Sequence, residues 1–371
     1  MNRILHVIAT LDAAGAEQQM VQLVTRLDRR EFQPRVCCLT RGGPLEAPLR
    51  TADVPVQILE KRGKFDLRVL LRLRAVLRDF QPQIVHTWLP TANTIGRLAA
   101  LFGRRPLLVA SERAADVWKG RLRRWTDRRL ARRTDLILCN AQAVRRFLTE
   151  RIGLPEEKIQ VIQNGLDMEA FDRHADQEPA DDLPPTGQGR IIGAVARLEP
   201  QKDIPALVEA FARLPERLSD THLWIAGEGP ERPRIEQLIA GHGMGGRVWL
   251  AGRRNDIPAL LRRMDLFVLP SLWEGLPNAV LEAMAARRAV VATRVDGTPE
   301  AVAEGETGLL VPPRDTAALA DAITRLLDDP DLRARYGAAG RRRVETVFGI
   351  ERMVKDTCDA YRSLLPGGDG S

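Results

Sequence analysis

Two glutamates, Glu274 and Glu282, stand with seven residues between them in the stretch 270–285. The apolar run 266–269 before them reads as a buried strand, and Pro270, Gly275 and Pro277 then break the chain into a loop. Good helix formers begin at Asn278, with Pro277 placed for the first helical position. Glu274 therefore falls in the loop and Glu282 about a turn into the helix. A loop carboxylate can accept hydrogen bonds from sugar hydroxyls, and one on the helix can do the same for a ribose. The helix start adds unpaired N–H groups and partial positive charge, which suit a phosphate or hydroxyl oxygen. Taken singly, each glutamate is as readily a solvated surface residue. The strand–loop–helix setting is what points to a site.

Three further stretches follow apolar strand-like runs in the same half of the chain. Arg197 and Lys202 lie in 196–203, two cations ahead of a helix and suited to a diphosphate, or else two solvated cations of an Arg-rich protein. Gly227-Glu228-Gly229-Pro230 is a turn whose glycines let a ligand approach the backbone, or an ordinary turn. Gly252-Arg253-Arg254-Asn255-Asp256 offers backbone groups to a nucleotide base.

The elements that must position these residues alternate. Strand-like runs in the first half fall at 3–11, 34–39, 56–59, 84–87, 107–110, 136–139 and 159–162. Helical patterns fall at 17–27, 66–78, 91–102, 118–133 and 141–151. The strands are apolar without alternation, as in a parallel sheet covered on both faces. The stretch 172–189 is rich in Pro, Gly and acidic residues and reads as a linker, after which strand and helix alternate again from 191. The predicted organisation is an α/β chain of two doubly wound, Rossmann-like domains: 1–171, a linker 172–189, and 190–349. A last helix over 350–365 and a Gly-rich, disordered tail 366–371 follow. Ligands of such sheets sit at the carboxyl ends of strands, and with two halves in the cleft between them.

The 371 residues carry 44% hydrophobic and 28% charged residues, as soluble globular proteins do. The formal net charge of +7 suits an anionic partner, whether nucleotide phosphates, a membrane surface or nucleic acid. No nucleic-acid recognition motif accompanies the charge, so nucleic acid is not an expected partner. The four cysteines, Cys37, Cys38, Cys139 and Cys358, form no metal-ligand spacing and read as small core residues in a reducing cytosol. No signal peptide and no run of 18 apolar residues occurs in the sequence, so a cytoplasmic chain is expected.

On Glu274–Glu282 as an E-x7-E motif, with Arg197, Lys202 and the Gly227–Pro230 turn in order and spacing, the chain resembles the family 4 retaining glycosyltransferases of group 1 type. The likeness runs over nearly the whole length. It implies the two-domain GT-B fold with a final helix crossing back to the first domain, as 350–365 would. It implies that Arg197 and Lys202 bind the diphosphate of a nucleotide sugar, UDP-sugar before GDP-sugar. Glu274 would hold donor-sugar hydroxyls, with backbone N–H groups of Gly275, Leu276 and Asn278 around the sugar and phosphate, and Glu282 would hold the ribose. Gly15, in Ala14-Gly15-Ala16-Glu17, resembles the family's Gly-rich loop near the phosphate, and Asn164-Gly165-Leu166-Asp167 its segment before the linker. Where many members carry Thr-x-His after the strand 107–110, this chain has Ser111-Glu112-Arg113, so Arg113 takes the His position. His86, at the end of 84–87, is the other acceptor-side candidate, or a structural hydrogen-bonding residue. Arg197, Lys202 and Glu274 are the expected catalytic residues. Negative charge on the departing diphosphate would fall to Arg197 and Lys202. Retention without a covalent nucleophile gives Glu274 no nucleophilic role. No Asp-x-Asp follows a strand, since Asp181-Asp182 lies in the linker, so neither a metal nor a cofactor is expected.

The acceptor would be a glycan or lipid-linked molecule in cell-surface polysaccharide or glycolipid assembly. The segment 118–133 joins Trp118, Leu122 and Trp125 to a series of arginines up to Arg133. Such a basic amphipathic helix suits the anionic inner face of the cell membrane, or packs its apolar stripe on the core. Three other readings compete. A nucleotide-sugar 2-epimerase on the same fold would act without an acceptor. A nicotinamide oxidoreductase lacks its G-x-G-x-x-G after the first strand. A non-catalytic sugar-nucleotide binder would not need both glutamates and both cations.

Overall fold

A computed structural model of the chain describes residues 1–63, 66–101, 105–114, 120–180, 183–184, 187 and 189–365. The chain forms two units, 1–165 with the stretch from Ile350, and 166–349. The first unit holds β1 (Asn2–Thr10), β2 (Phe32–Arg41), β3 (Val56–Ile58), β4 (Ile84–Trp88), β5 (Leu107–Glu112), β6 (Leu136–Cys139) and β7 (Ile159–Val161), in the order β3-β2-β1-β4-β5-β6-β7. The second holds β8 (Ile191–Val195), β9 (His222–Ala226), β10 (Val248–Gly252), β11 (Leu266–Leu269), β12 (Ala289–Thr293) and β13 (Gly308–Val311), in the order β10-β9-β8-β11-β12-β13. Every pair is parallel. Strand order therefore reverses between β1 and β4, and again between β8 and β11. The carboxyl ends at such reversals are where open parallel sheets leave a crevice for ligands.

The unalternating apolar strands have a direct cause. In β1, Ile4 and Ile8 pack into one core layer while Leu5 and Val7 pack into the other. In β9, Leu223 and Ile225 face one layer and Trp224 and Ala226 the opposite one. Both faces are covered, so both sets of positions must be apolar. All four cysteines are buried free thiols, and burial holds the Cys37 thiol up at about 12.

The expected linker is shorter than its composition suggests. Met168–Ala175 is a helix capped by the Asp167 carboxylate, which accepts from the Ala170 N–H at 2.9 Å. Its Phe171 and Ala175 join a core layer with Leu260, Phe267 and Val280. Asp172 receives two hydrogen bonds of 2.7 Å from the Arg341 guanidinium. The second unit thus starts at Leu166, because an amphipathic turn precedes the Pro- and Gly-rich run. Asp181, Asp182, 185–186 and 188 lie outside the described residues, as does the tail 366–371.

The last helix, Ile350–Leu364, belongs to the first unit, where Ile350, Met353 and Tyr361 are buried with Ile4, Ile8 and Phe32. Arg362 pairs with Glu31 through bonds of 2.8 and 2.6 Å. Tyr361 reaches the sheet itself, with its hydroxyl 2.6 Å from Nδ1 of the fully buried His86. Tyr361→Phe should therefore strand a buried ring nitrogen and cost about 1–3 kcal/mol, read from the urea unfolding midpoint.

Candidate active site

In the second unit β8 and β11 are neighbours, with Ile192 opposite Leu266 and Gly193 opposite Phe267. Their outgoing loops, 196–203 and 270–277, are consequently side by side. This brings Lys202 to Glu274 as an ion pair, with side chains only 16% and 7% exposed. Ser271 donates to the same carboxylate oxygen at 2.6 Å. The Leu272 N–H donates to the Gln201 carbonyl, and the Gln201 side chain to the Trp273 carbonyl, both at 2.8 Å. The two loops are thereby stitched along their length, and Glu274 is held at a fixed angle.

The next strand, β12, adds Asp296, whose carboxylate accepts the Glu274 N–H at 2.9 Å. Burial, with the neighbouring Glu274 charge, raises the Asp296 carboxyl above its usual range, although the Glu274 N–H bond opposes that. Thr293 of β12 donates to the Ser271 carbonyl. Sequence reading did not select Ser271, Gln201 or Asp296. Asp296 had a signal, being an acidic residue three places after a strand end, but its relevance depends on β12 lying beside β11.

Glu282 sits in the helix Asn278–Ala285, as expected, and the helix begins one residue later than Pro277. Its N-cap residue is Pro277, which has no side-chain group to cap the helix start. Burial alone raises the Glu282 carboxyl to about 7. The sign of its effect on stability follows. Between 4.5, its ordinary value, and about 7, the folded chain retains a proton that the unfolded chain has released. Stability should fall as pH rises through that window and level off above it. Glu282→Gln cannot ionise, so it should match the natural chain below the window and exceed it by about 3 kcal/mol at high pH in urea unfolding.

Arg197 is 58% exposed and bonds Glu199 at 2.6 Å, so its guanidinium is open to solvent on the same loop as Lys202. Gly227 has φ +147, and a Cβ there would lie 1.8 Å from the Ala196 carbonyl oxygen. One at Gly229 would lie 2.3 Å from that of Leu198. These glycines thus have a packing cause, because they let the turn after β9 seat against the Arg197 loop. After β10, Arg253 is exposed. Its neighbour Arg254 is the buried one, bonded to Asp256 at 2.8 and 2.5 Å and lying 5.5 Å from the Trp249 ring. Gly275 and Leu276 are buried in the loop, and Asn278 is half-buried at the helix start.

The first unit treats its candidates differently. Gly15 opens the helix Gly15–Arg26 after β1. His86 is fully buried, its Nε2 lying 2.8 Å from Ser111 Oγ and its ring stacked on Trp88 at 4.4 Å. With Tyr361 on the other nitrogen, the ring is committed to the core and presents nothing to solvent. Burial, aided by the charges of His6 and Arg113, keeps it neutral. Arg113 lies over the Trp88 ring at 4.7 Å and donates to Asn164 at 2.7 Å. Together these two residues tie β4 and the end of β5 to the last helix and to Asn164. The acceptor-side role expected of them has no open group at His86. Of the basic segment, Trp118 and Lys119 lie outside the described residues. Trp125 is 55% exposed, with Arg129 over its ring at 5.1 Å. Among the described residues no helix is long and apolar enough to cross a membrane.

Known proteins show the same arrangement of sequence. The family Glycosyltransferase Family 4 matches residues 13–170, and Glycosyl transferases group 1 matches 177–343. An alpha-D-kanosaminyltransferase of Streptomyces kanamyceticus is 34% identical over 65% of this chain, and the chain spans 64% of its length. A UDP-Gal:alpha-D-GlcNAc-diphosphoundecaprenol alpha-1,3-galactosyltransferase of Escherichia coli is 26% identical over 98% of this chain and 97% of its own. The structure of Anabaena Alr3699/HepE with UDP and glucose superposes with a TM-score of 0.86 at 21% identity, covering 98% of this chain and all of that one. That likeness shows the fold to be GT-B. The chain belongs to the group 1, family 4 glycosyltransferases.

Proposed function

We propose that this protein is a retaining glycosyltransferase that moves a hexosyl group from a nucleotide-diphosphate sugar, a UDP-sugar, to a glycan or lipid-linked acceptor. The observation that carries the reading is the Lys202–Glu274–Ser271 cluster, held at the carboxyl ends of two adjacent strands beside the start of the helix Asn278–Ala285. A diphosphate is matched by the charges of Lys202 and exposed Arg197, which would stabilise the negative charge growing on the leaving group. Glu274 would accept hydroxyls of the donor sugar, ringed by N–H groups of Gly275, Leu276 and Asn278. Glu282 would accept the ribose hydroxyls, with Gly227 and Arg253 on neighbouring loops of the same unit. The acceptor class is supported by the diphosphoundecaprenol-linked substrate named for the Escherichia coli relative. A lipid-linked acceptor suits a cytoplasmic chain peripheral to the inner face of the membrane, with the segment 118–133 as one contact.

The test is a thermal-shift screen of UDP- and GDP-sugars, followed by product analysis with the stabilising donor. A shift with a UDP-sugar and an α-linked product from an α-linked donor is the expected result. No shift with any nucleotide sugar, or an inverted product, would refute the reading. Glu282→Gln separates stability from binding here, because it should raise stability at high pH yet weaken the UDP shift.

A further inference from the structure

The first unit carries a large cavity that the site above does not use. It has a volume of about 870 Å³ and opens at the amino ends of β1, β4 and β5, marked by Arg3, Gln83 and Leu107. The loops that follow strands, where ligands of such sheets bind, leave from the other end. Four arginines line it, Arg3, Arg74, Arg78 and Arg105, and no carboxylate does among the described residues, although Arg105 reaches Asp135 behind the wall at 3.4 Å. The rest of the wall is largely aliphatic, with Leu71, Leu77, Leu107 and Leu364.

A second cavity of about 420 Å³ continues from it, sharing Leu71 and Arg74 and adding Leu67, Leu70 and Leu98. The helix Arg68–Phe80 forms the ridge between solvent and these hollows. Its outer stripe reads Leu67, Leu71, Arg74, Arg78 at helical spacing. Leu67 is 74% and Leu71 66% exposed, the two most open leucines among the described residues. Large exposed aliphatic side chains beside arginines mark a surface meant to be covered.

We infer that this groove seats the headgroup and upper acyl chain of an anionic phospholipid, so that the helix Arg68–Phe80 lies on an anionic bilayer. The charge selects the partner: with Arg105 already paired to Asp135, the guanidiniums of Arg3, Arg74 and Arg78 on a wall without carboxylates among the described residues match a phosphate diester. The aliphatic wall and the exposed leucines match the chain that such a headgroup carries and a soluble phosphate lacks. The volume exceeds what a headgroup needs and lies in the range of sites for amphiphilic ligands. This contact is independent of the donor site and distinct from the segment 118–133.

The test is co-sedimentation of the full chain with vesicles of equal parts phosphatidylcholine and phosphatidylglycerol, against pure phosphatidylcholine. Leu67→Ser/Leu71→Ser and Arg74→Ser/Arg78→Ser alter exposed positions, and an unchanged UDP thermal shift would certify their fold and donor site. Each double variant should bind the anionic vesicles about 10-fold or more weakly than the natural chain. Trp125→Ser should keep most of the binding. The proposal is overturned if the natural chain stays in the supernatant, if the double variants sediment like it, or if only Trp125→Ser loses binding. Full competition by millimolar inorganic phosphate would reassign the groove to a free anion. Lipid-free dimerisation abolished by Leu67→Ser/Leu71→Ser would reassign it to a second copy, and either result rejects the lipid.

Discussion

Glu274→Gln should lower turnover about 100- to 1,000-fold while the protein stays folded. The side chains are nearly isosteric, so the loop after β11 keeps its backbone bonds to Gln201 and Asp296. What disappears is charge. One Glu274 oxygen accepts from both Lys202 and Ser271, and on the proposed reading the other would accept a ligand hydroxyl. An amide in its place is neutral, and in either orientation it has only one oxygen to offer. Lys202, itself mostly buried, then keeps its charge without a counterion, at a cost of about 1–3 kcal/mol in unfolding free energy. The assay is product formation from the stabilising donor beside thermal unfolding of the same preparation. A folded variant within twofold of natural turnover would remove Glu274 from the chemistry.

The same residue shows what the sequence could and could not convey. Strand, loop and helix over 266–285 were legible because a short apolar run, two prolines and a block of helix formers have local causes. The pairing of Lys202 with Glu274 was not, since 72 residues separate them and only the strand order makes β8 and β11 neighbours. Family resemblance named both residues without giving the contact. Asp296 was invisible for the same reason. The glycines of the Gly227 turn were legible as glycines, but their packing against the Ala196 and Leu198 carbonyls is a tertiary fact. Met168–Ala175 straddles the expected boundary between the first domain and the linker, because a short helix followed by Pro, Gly and Asp has weak periodicity. His86 was flagged by chemistry, as a lone histidine at a strand end. Its burial depends on Tyr361, which the chain brings back from 275 residues away.

Lys202→Met is the sharper test, because it moves stability and activity by separable amounts. The methionine fills the stem's volume but leaves the Glu274 carboxylate, 7% exposed, with Ser271 and no cation. An uncompensated charge at that depth should cost about 3 kcal/mol, more than Glu274→Gln, since a carboxylate loses more by desolvation than an ammonium on a flexible stem that can turn to water. Turnover should fall at least about 100-fold, because half of the cationic charge proposed to face the diphosphate is gone and Arg197 is too exposed to replace it. The double variant Lys202→Met/Glu274→Gln removes both charges and should recover most of the lost stability while recovering no turnover. If instead the two losses add in stability, the ion pair is not what holds these loops. If turnover returns with stability, Lys202 serves the fold alone and the diphosphate must be held by other groups.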